Sequence, residues 1–423
     1  MNAADRLRKQ GAAAQAASAV LARTPAETRN HALENIAHAL ETEPGPVLAA
    51  NEADYRDAEA DGIDLAFLDR LLLNSDRLNG MAADVRRVAA LEDPVGELIE
   101  GFTLDNGLDV QKRRIPLGVI ASIYESRPNV TTDIVALALK SGNACLLRGG
   151  KETLRSNTAL VDLVHRAIGE AGLSTDAVQF VADTDRSLVD VMLQMRDEIN
   201  LLVPRGGSGL INYVGANATM PVLTGGVGVC HTYVDRDADA EMAANIVYNA
   251  KVQRPTVCNA LDTVLVHSEV AGRCLPGIAS QLNDAGVEMR CDHRALTILG
   301  PDSGFNTIPA QEDDWGREFL ALIAAVRVVD SLDDALEHIQ TYGSGHSEAI
   351  VTRDGEAAER FLNEVDAAAV YHNTSTRFTD GAQFGFGAEV GISTEKFHAR
   401  GPLGVRELTS YKWIVRGDGQ VRG

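Results

Sequence analysis

The 423-residue chain carries a net charge of −21, with 45% hydrophobic and 23% charged residues. That length exceeds a single core and predicts two or three domains with a cleft between them. The charge excludes broad nucleic-acid or anionic-membrane binding, and no segment supplies the roughly 20 apolar residues of a membrane span.

The opening GAAAQAASAVLAR lacks the strongly apolar core of a targeting peptide and reads as a first helix. Residues up to about 90 continue helical. Thr24-Pro25-Ala26-Glu27 predicts an N-cap, a first-turn proline and a capping-box glutamate. LDNGLDVQKRRIPLG then predicts a hairpin at its Asn-Gly pair. From residue 110, the apolar runs LGVIASI, ACLLR, AVQFV, INLLVP and MPVLT alternate with the helical stretches TTDIVALALKSG and TLRSNTALVDLVHRAIGEAG, the second closed by Gly172. Such alternation predicts βαβ units on a parallel sheet, with ligands at the strand ends. A second block begins near residue 230: a helix at DADAEMAANIVYNA, strands at LDTVLVH, ALTILG and AAVRVVD, and a helix capped by Ser331. LTSYKWIVRGDG reads as an isolated strand. With the hairpin it predicts an intersubunit sheet and a homo-oligomer. The fold class is α/β, two parallel-sheet domains plus a small β oligomerisation element.

Cys145, Cys230, Cys258, Cys274 and Cys291 are odd in number and scattered, with no CxxC pair and no histidine at metal-ligand spacing. This reads as a reduced, cytosolic chain with neither a disulfide framework nor a metal. Cys258 differs from the rest: in KVQRPTVCNALDT it follows a helix-stopping Pro255 and precedes polar Asn259 and a strand, with Lys251 and Arg254 near enough to lower its pKa. Pattern alone leaves it balanced between nucleophile and inert filler. YESRPNVTTD joins a strand to a helix and gathers Glu125, Ser126, Arg127 and Asn129, a natural anion site. LLRGGKET and LVPRGGSGLI place Arg148, Gly149, Gly150, Lys151 and Arg205, Gly206, Gly207, Ser208 directly after strands, where glycine lets the backbone approach a phosphate. Neither fits a P-loop or a GxGxxG fingerprint. TGGVGVC adds Gly225 and Gly226, and YHNTSTRFTDG clusters His372, Asn373, Thr374 and Ser375 as donors for a polar substrate.

Taken together, SIYESRPNVTTDIVALALKSGNACLLRGGKE, LVPRGGSGLI, QRPTVCNALDT and VYHNTSTRFTDGAQFGFGAEVGISTEKFHARGPLG resemble the gamma-glutamyl phosphate reductase family of the aldehyde dehydrogenase superfamily, in the family's order over nearly the whole chain. The resemblance implies a cofactor-binding domain at 1–104 and 122–228, a catalytic domain at 229–372, oligomerisation elements at 105–121 and 395–423, and a segment 373–394 returning toward the cofactor domain. It implies NADPH-dependent reduction of L-glutamate 5-phosphate to the 5-semialdehyde and phosphate, the second step of proline biosynthesis, in the cytoplasm. Cys258 falls at the family's catalytic cysteine, with Asn259 as an oxyanion partner, and Glu318 at the glutamate that orients the nicotinamide ribose. Arg148 replaces the superfamily's ribose-binding lysine, which favours a 2′-phosphate. The general-base glutamate of hydrolytic relatives is replaced at Leu223 or Thr224, leaving no group to activate water. A CoA-linked or hydrolytic aldehyde dehydrogenase, or an inactive nucleotide-binding homologue, are the alternatives. The lability of an acyl phosphate suggests a transient complex with the upstream glutamate 5-kinase.

Overall fold

Apolar residues three and four apart wind the N-terminal region into five helices: α1 (Ala3–Leu21), α2 (Ala26–Thr42), α3 (Gly45–Ala60), α4 (Leu65–Leu71) and α5 (Ser75–Ala90). The computed structural model describes residues 2–223, 225 and 227–422, without the side chains of Leu65, Ala66 and Ser208. Thr24 does not cap α2. Its hydroxyl donates back to Val20 O at 3.0 Å, and Pro25 occupies the N-cap position with no side-chain cap. A proline at the N-cap has no side-chain acceptor for the first-turn N–H groups and no N–H of its own to complete a capping box.

The chain then forms β1 (Leu98–Thr103) and β2 (Asp109–Pro116), a hairpin whose turn holds Gly107 at φ 86°. Next come β3 (Val119–Tyr124), α6 (Asn129–Lys140), β4 (Ala144–Arg148), α7 (Leu154–Glu170), β5 (Val178–Phe180), α8 (Ser187–Leu193), β6 (Leu201–Arg205) and α9 (Ser208–Asn217). β3 and β4 are buried along their whole length, as strands covered on both faces must be. The sheet is parallel in the order β5-β4-β3-β6, so the order reverses at β3 and the loops after β3 and β6 diverge. MPVLT, expected as a further strand, makes a single parallel bridge between Val222 and Leu202. Pro221 there has no N–H for a ladder.

The second block comprises β7 (Cys230–Val234), α10 (Ala240–Val252), β8 (Leu261–His267), α11 (Ser268–Asp284), β9 (Glu288–Cys291), α12 (His293–Leu299), β10 (Thr307–Pro309), β11 (Ile323–Val329), α13 (Leu332–Tyr342), β12 (Ser347–Val351), α14 (Gly355–Glu364) and β13 (Ala369–His372). Its seven strands pair in parallel in the order β10-β9-β11-β8-β7-β12-β13. ALTILG, expected as a strand, is helical. Asp292 caps it by accepting from Ala295 N at 2.7 Å, and Gly300 at φ 78° ends it. Ser331 caps α13 as expected, accepting from Asp334 N at 3.1 Å.

Short strands β14 (Ile392–Ser393) and β15 (Gly401–Pro402) punctuate the return, and β16 (Thr409–Arg416) pairs antiparallel with β2 to complete a three-stranded sheet, β1-β2-β16. The chain divides into two units: Met1–Thr224 with Gly385–Gly391 and Pro402–Gly423, and Gly225–Phe384 with Ile392–Gly401. Of the segment 373–394, only Gly385–Gly391 joins the first unit. Among the described residues no helix is long and apolar enough to cross a membrane.

Candidate functional site

In the second unit the chemistry gathers at the N-terminal edge of the sheet, on residues about to enter strands. Gly228 precedes β7, Cys258 and Asn259 precede β8, Glu318 precedes β11 and His346 precedes β12. Cys258 is partly exposed and the other four cysteines are buried. Burial pushes the Cys230 thiol well up and that of Cys291 up to about 12, so neither is a thiolate at neutral pH.

The Cys258 turn is held from several sides. Cys230 Sγ donates to Cys258 O at 3.2 Å, and a Cβ on Gly228 would lie 1.8 Å from the same oxygen. Thr376 Oγ1 donates to Asn259 O at 2.8 Å. Behind them run Ser347 Oγ to Thr379 Oγ1 at 2.6 Å, Tyr371 OH to Thr379 Oγ1 at 2.7 Å, and His346 Nδ1 to Ser347 Oγ at 2.8 Å. Burial lowers His346 to about 4, so it stays neutral in this network at working pH.

Several residues expected to face a substrate have other partners. Asn259 Nδ2 donates to Thr379 O at 2.8 Å and to Arg377 O at 3.4 Å. His372 Nε2 lies 3.1 Å from Thr352 O, and Asn373 both donates to Thr352 O at 2.8 Å and accepts from Thr352 N at 3.0 Å. These two side chains pin the C-terminal end of β13 to that of β12. Asn373, at φ 55°, then turns the chain so that Thr376 and Thr379 reach the Cys258 turn. Ser375 Oγ accepts from Arg377 N at 3.3 Å, and Thr374 is a partly exposed loop residue.

Lys251, expected beside the thiol, is fully buried and pairs with Asp262 at 3.4 Å. Burial pushes the Lys251 ammonium down and the Asp262 carboxyl up to about 6, each opposed by the other's charge. Glu318 Oε1 accepts from Gly228 N at 3.0 Å, with its carboxyl raised by burial and held back by that hydrogen bond and by Lys251. It sits in irregular chain, not on a helix. Arg377, which polarity counting passed over, acts electrostatically on Cys258 and is itself pushed down, first by burial and then by Arg254.

In the first unit the candidate residues sit at the opposite, C-terminal edge of the sheet, in the loops after β3, β4 and β6. Glu125 Oε2 accepts from Gly207 N at 3.1 Å, and a Cβ on Gly206 would meet the same carboxylate at 2.4 Å. Ser126, buried and left-handed at φ 49°, donates its N–H to Glu152 Oε1 at 2.9 Å. Asn129 opens α6 and donates to Asp133 Oδ2 at 2.9 Å. Burial raises the Asp133 carboxyl to about 6, opposed by Asn129 and then Arg205. Arg148 is buried. Its Nη2 donates to Asp185 O at 2.9 Å, and its Nε has no partner among the described residues. A Cβ on Gly149 would lie 2.1 Å from Asn157 Nδ2, and one on Gly150 the same distance from Glu152 Oε1. Lys151 is exposed, Gly207 faces open space, and Ser208 begins α9. Arg127 is partly exposed in the same loop as Ser126. Arg127, Arg148 and Arg205 therefore belong to this unit, while Cys258, Gly225, Glu318 and residues 372–375 belong to the second. Gly226 and Thr224 lie outside the described residues, and Leu223 is buried.

Parallel α/β units with glycine loops at strand ends, one of them carrying a partly exposed thiol in a locked turn, define the class of a thiol-bearing, nucleotide-binding oxidoreductase. The chain belongs to the Aldehyde dehydrogenase family, whose sequence profile matches residues 2–301 and 305–414. It is 57% identical over 410 residues to a gamma-glutamyl phosphate reductase of Dehalococcoides mccartyi (strain CBDB1), covering 97% of each chain. The crystal structure of gamma-glutamyl phosphate reductase from Thermotoga maritima matches with a TM-score of 0.96 at 46% identity, over 99% of this chain and 100% of that one. An engineered glycolyl-CoA reductase with bound NADP+, 16% identical over 96% of each chain, shares the fold at a TM-score of 0.68.

Proposed function

We propose that this chain reduces L-glutamate 5-phosphate to L-glutamate 5-semialdehyde and phosphate with NADPH, through a thioester on Cys258, as the second step of proline biosynthesis. The identity to named gamma-glutamyl phosphate reductases supports the substrate. The observation that carries the chemistry is that, of five cysteines, Cys258 alone reaches the surface and sits in a turn fixed at its own carbonyl.

In this reading the Cys258 thiolate attacks the acyl carbon, the bond to the phosphoryl oxygen breaks, and phosphate leaves with the electron pair. The locked turn holds sulfur in one place, so little ordering remains for the barrier to absorb. A nicotinamide cofactor, when bound, supplies the hydride that reduces the thioester. The residues fit such a group: among the described residues buried Arg148 Nε has no partner, and Gly207 after β6 faces open space at a helix start. Arg148, Gly149, Gly150, Lys151, Arg205, Gly206, Gly207 and Ser208 would hold it, Arg148 favouring the 2′-phosphate, and Gly225, Gly226 and Glu318 are proposed cofactor residues as well. Glu125, whose carboxylate takes up Gly207 N, belongs with this loop by its contacts. Glu125, Ser126, Arg127, Asn129, His372, Asn373, Thr374 and Ser375 are the proposed substrate residues, Arg127 for an anionic group, with Asn259 helping to hold the oxyanion. Neither Leu223, which is buried, nor Thr224, the two positions where a hydrolytic relative's base would fall, has a side chain that could activate water.

The three-stranded sheet exposes Phe102, Tyr411, Trp413 and Val415, which supports a homo-oligomer built on it. A transient complex with glutamate 5-kinase would protect the labile acyl phosphate, and a cytoplasmic location suits both partners. The test is the reverse reaction: NADP+ reduction by the semialdehyde is expected to require phosphate or arsenate. Turnover without either, or with CoA in their place, would contradict the assignment.

A further inference from the structure

Two arginines flank the Cys258 turn without a counter-ion. Arg254, exposed, lies four residues before the thiol. Arg377 is tied across the same turn at both ends: its Nε donates to Gln253 Oε1 at 2.9 Å, and its carbonyl accepts from Asn259. Among the described residues neither guanidinium has a carboxylate within 4.0 Å. Asp380 acts on Arg377 only from farther away, and its Oδ1 is occupied by the N–H groups of Ala382 and Gln383. The acceptor that orients Arg377 is the neutral amide of Gln253. A carboxylate there would have cancelled the charge, and in a chain of net charge −21 carboxylates are plentiful. Two like charges side by side repel, an arrangement that costs stability and is relieved when an anion sits between them. Guanidinium forks match the tetrahedral oxygens of a phosphoryl group.

We infer that Arg254 and Arg377 form the seat of the phosphoryl group, holding it beside Cys258 as it leaves the acyl carbon and binding inorganic phosphate in the reverse direction. The inference rests on the thioester reading above and adds to it the residues that take up the leaving group. The bond between acyl carbon and phosphoryl oxygen breaks as the carbon–sulfur bond forms, and the seat receives the departing dianion with no redox change. Arg377 and Cys258 also act on each other electrostatically.

The test uses the full-length enzyme with Arg254→Gln and, separately, Arg377→Gln. In the reverse assay each substitution is expected to raise the KM for phosphate by about 10- to 100-fold, with the KM for the semialdehyde and the Kd for NADPH within about twofold of wild type. As a readout independent of turnover, inorganic phosphate is expected to protect Cys258 from iodoacetamide in the wild type and to lose that protection in both variants. Arg254, exposed and without a side-chain hydrogen bond among the described residues, keeps the test open should Arg377→Gln fail to fold. Unchanged phosphate KM and protection in Arg254→Gln, or a rise in NADPH Kd in place of phosphate KM, would overturn the seat. Iodoacetamide that leaves Cys258 unmodified, or that modifies it without loss of activity, would instead overturn the thioester reading.

Discussion

The two units carry their chemistry at opposite edges of their sheets. In the first, the loops after β3, β4 and β6 lie at the C-terminal edge, where helices α6, α7 and α9 begin and the backbone at Gly207 is open. In the second, Gly228, Cys258, Glu318 and His346 all lie just before strands, and Cys258 and Asn259 are bonded by Cys230, Thr376 and Thr379. The difference follows from what each edge offers. Helix N-termini present unpaired N–H groups that suit reversible binding of an anion. Chain entering parallel strands has neighbours on both sides, whose side chains can fix one atom to within the tolerance a covalent step requires.

The contrast can be broken most severely at the sulfur. Cys258→Ala is expected to lower turnover by on the order of 10⁴-fold or more, with NADPH affinity unchanged by titration, because the thiol is proposed to react with the substrate and is not among the proposed cofactor residues. Gly228→Ala comes next. Its Cβ has no room beside Cys258 O, and backbone cannot yield as a flexible side chain can. A loss of about 10²-fold in kcat and about 1–3 kcal/mol in stability by calorimetry is expected. Gly149→Ala tests the open edge. Asn157, which the new methyl would strike, is held by Thr153 and Thr131, so NADPH Kd is expected to rise about tenfold, with kcat less affected.

The smallest effect is electrostatic. Asp133 holds its proton up to about pH 6, against an ordinary value of 3.8. The folded state therefore binds the extra proton between those values, and the stability this confers is lost as pH rises through 6. Asp133→Asn is expected to stabilise the protein at pH 8, by on the order of 1 kcal/mol after screening, and to have little effect at pH 4. Denaturant midpoints at the two pH values measure this.

Much of this was legible in the chain. The strands from β3 to β6, the long helices α6, α7 and α10, the hairpin and β16 all follow from periodicity and turn chemistry, and QRPTVCNALDT placed the thiol between a helix stop and a strand. What escaped reading depended on contacts between distant segments. ALTILG carries apolar residues that suit either state, and the cap from Asp292 decides it as a helix. The partners that His372, Asn373 and Asn259 take within the fold could not be read from polarity in a loop, because they lie 20 to 120 residues away in sequence. Arg377 was hidden within YHNTSTRFTDG by its hydroxyl-rich neighbours. Only the fold shows it crossing the Cys258 turn.

The central claim is that Cys258 holds the glutamyl group as a thioester awaiting hydride or phosphate. Wild-type enzyme mixed with the semialdehyde and NADP+ in phosphate-free buffer, quenched in acid and digested, is expected to show a glutamyl mass increment on the peptide bearing Cys258, removed by adding phosphate before the quench. No adduct there, or an adduct on another residue that discharges at the same rate with or without phosphate, would contradict the account.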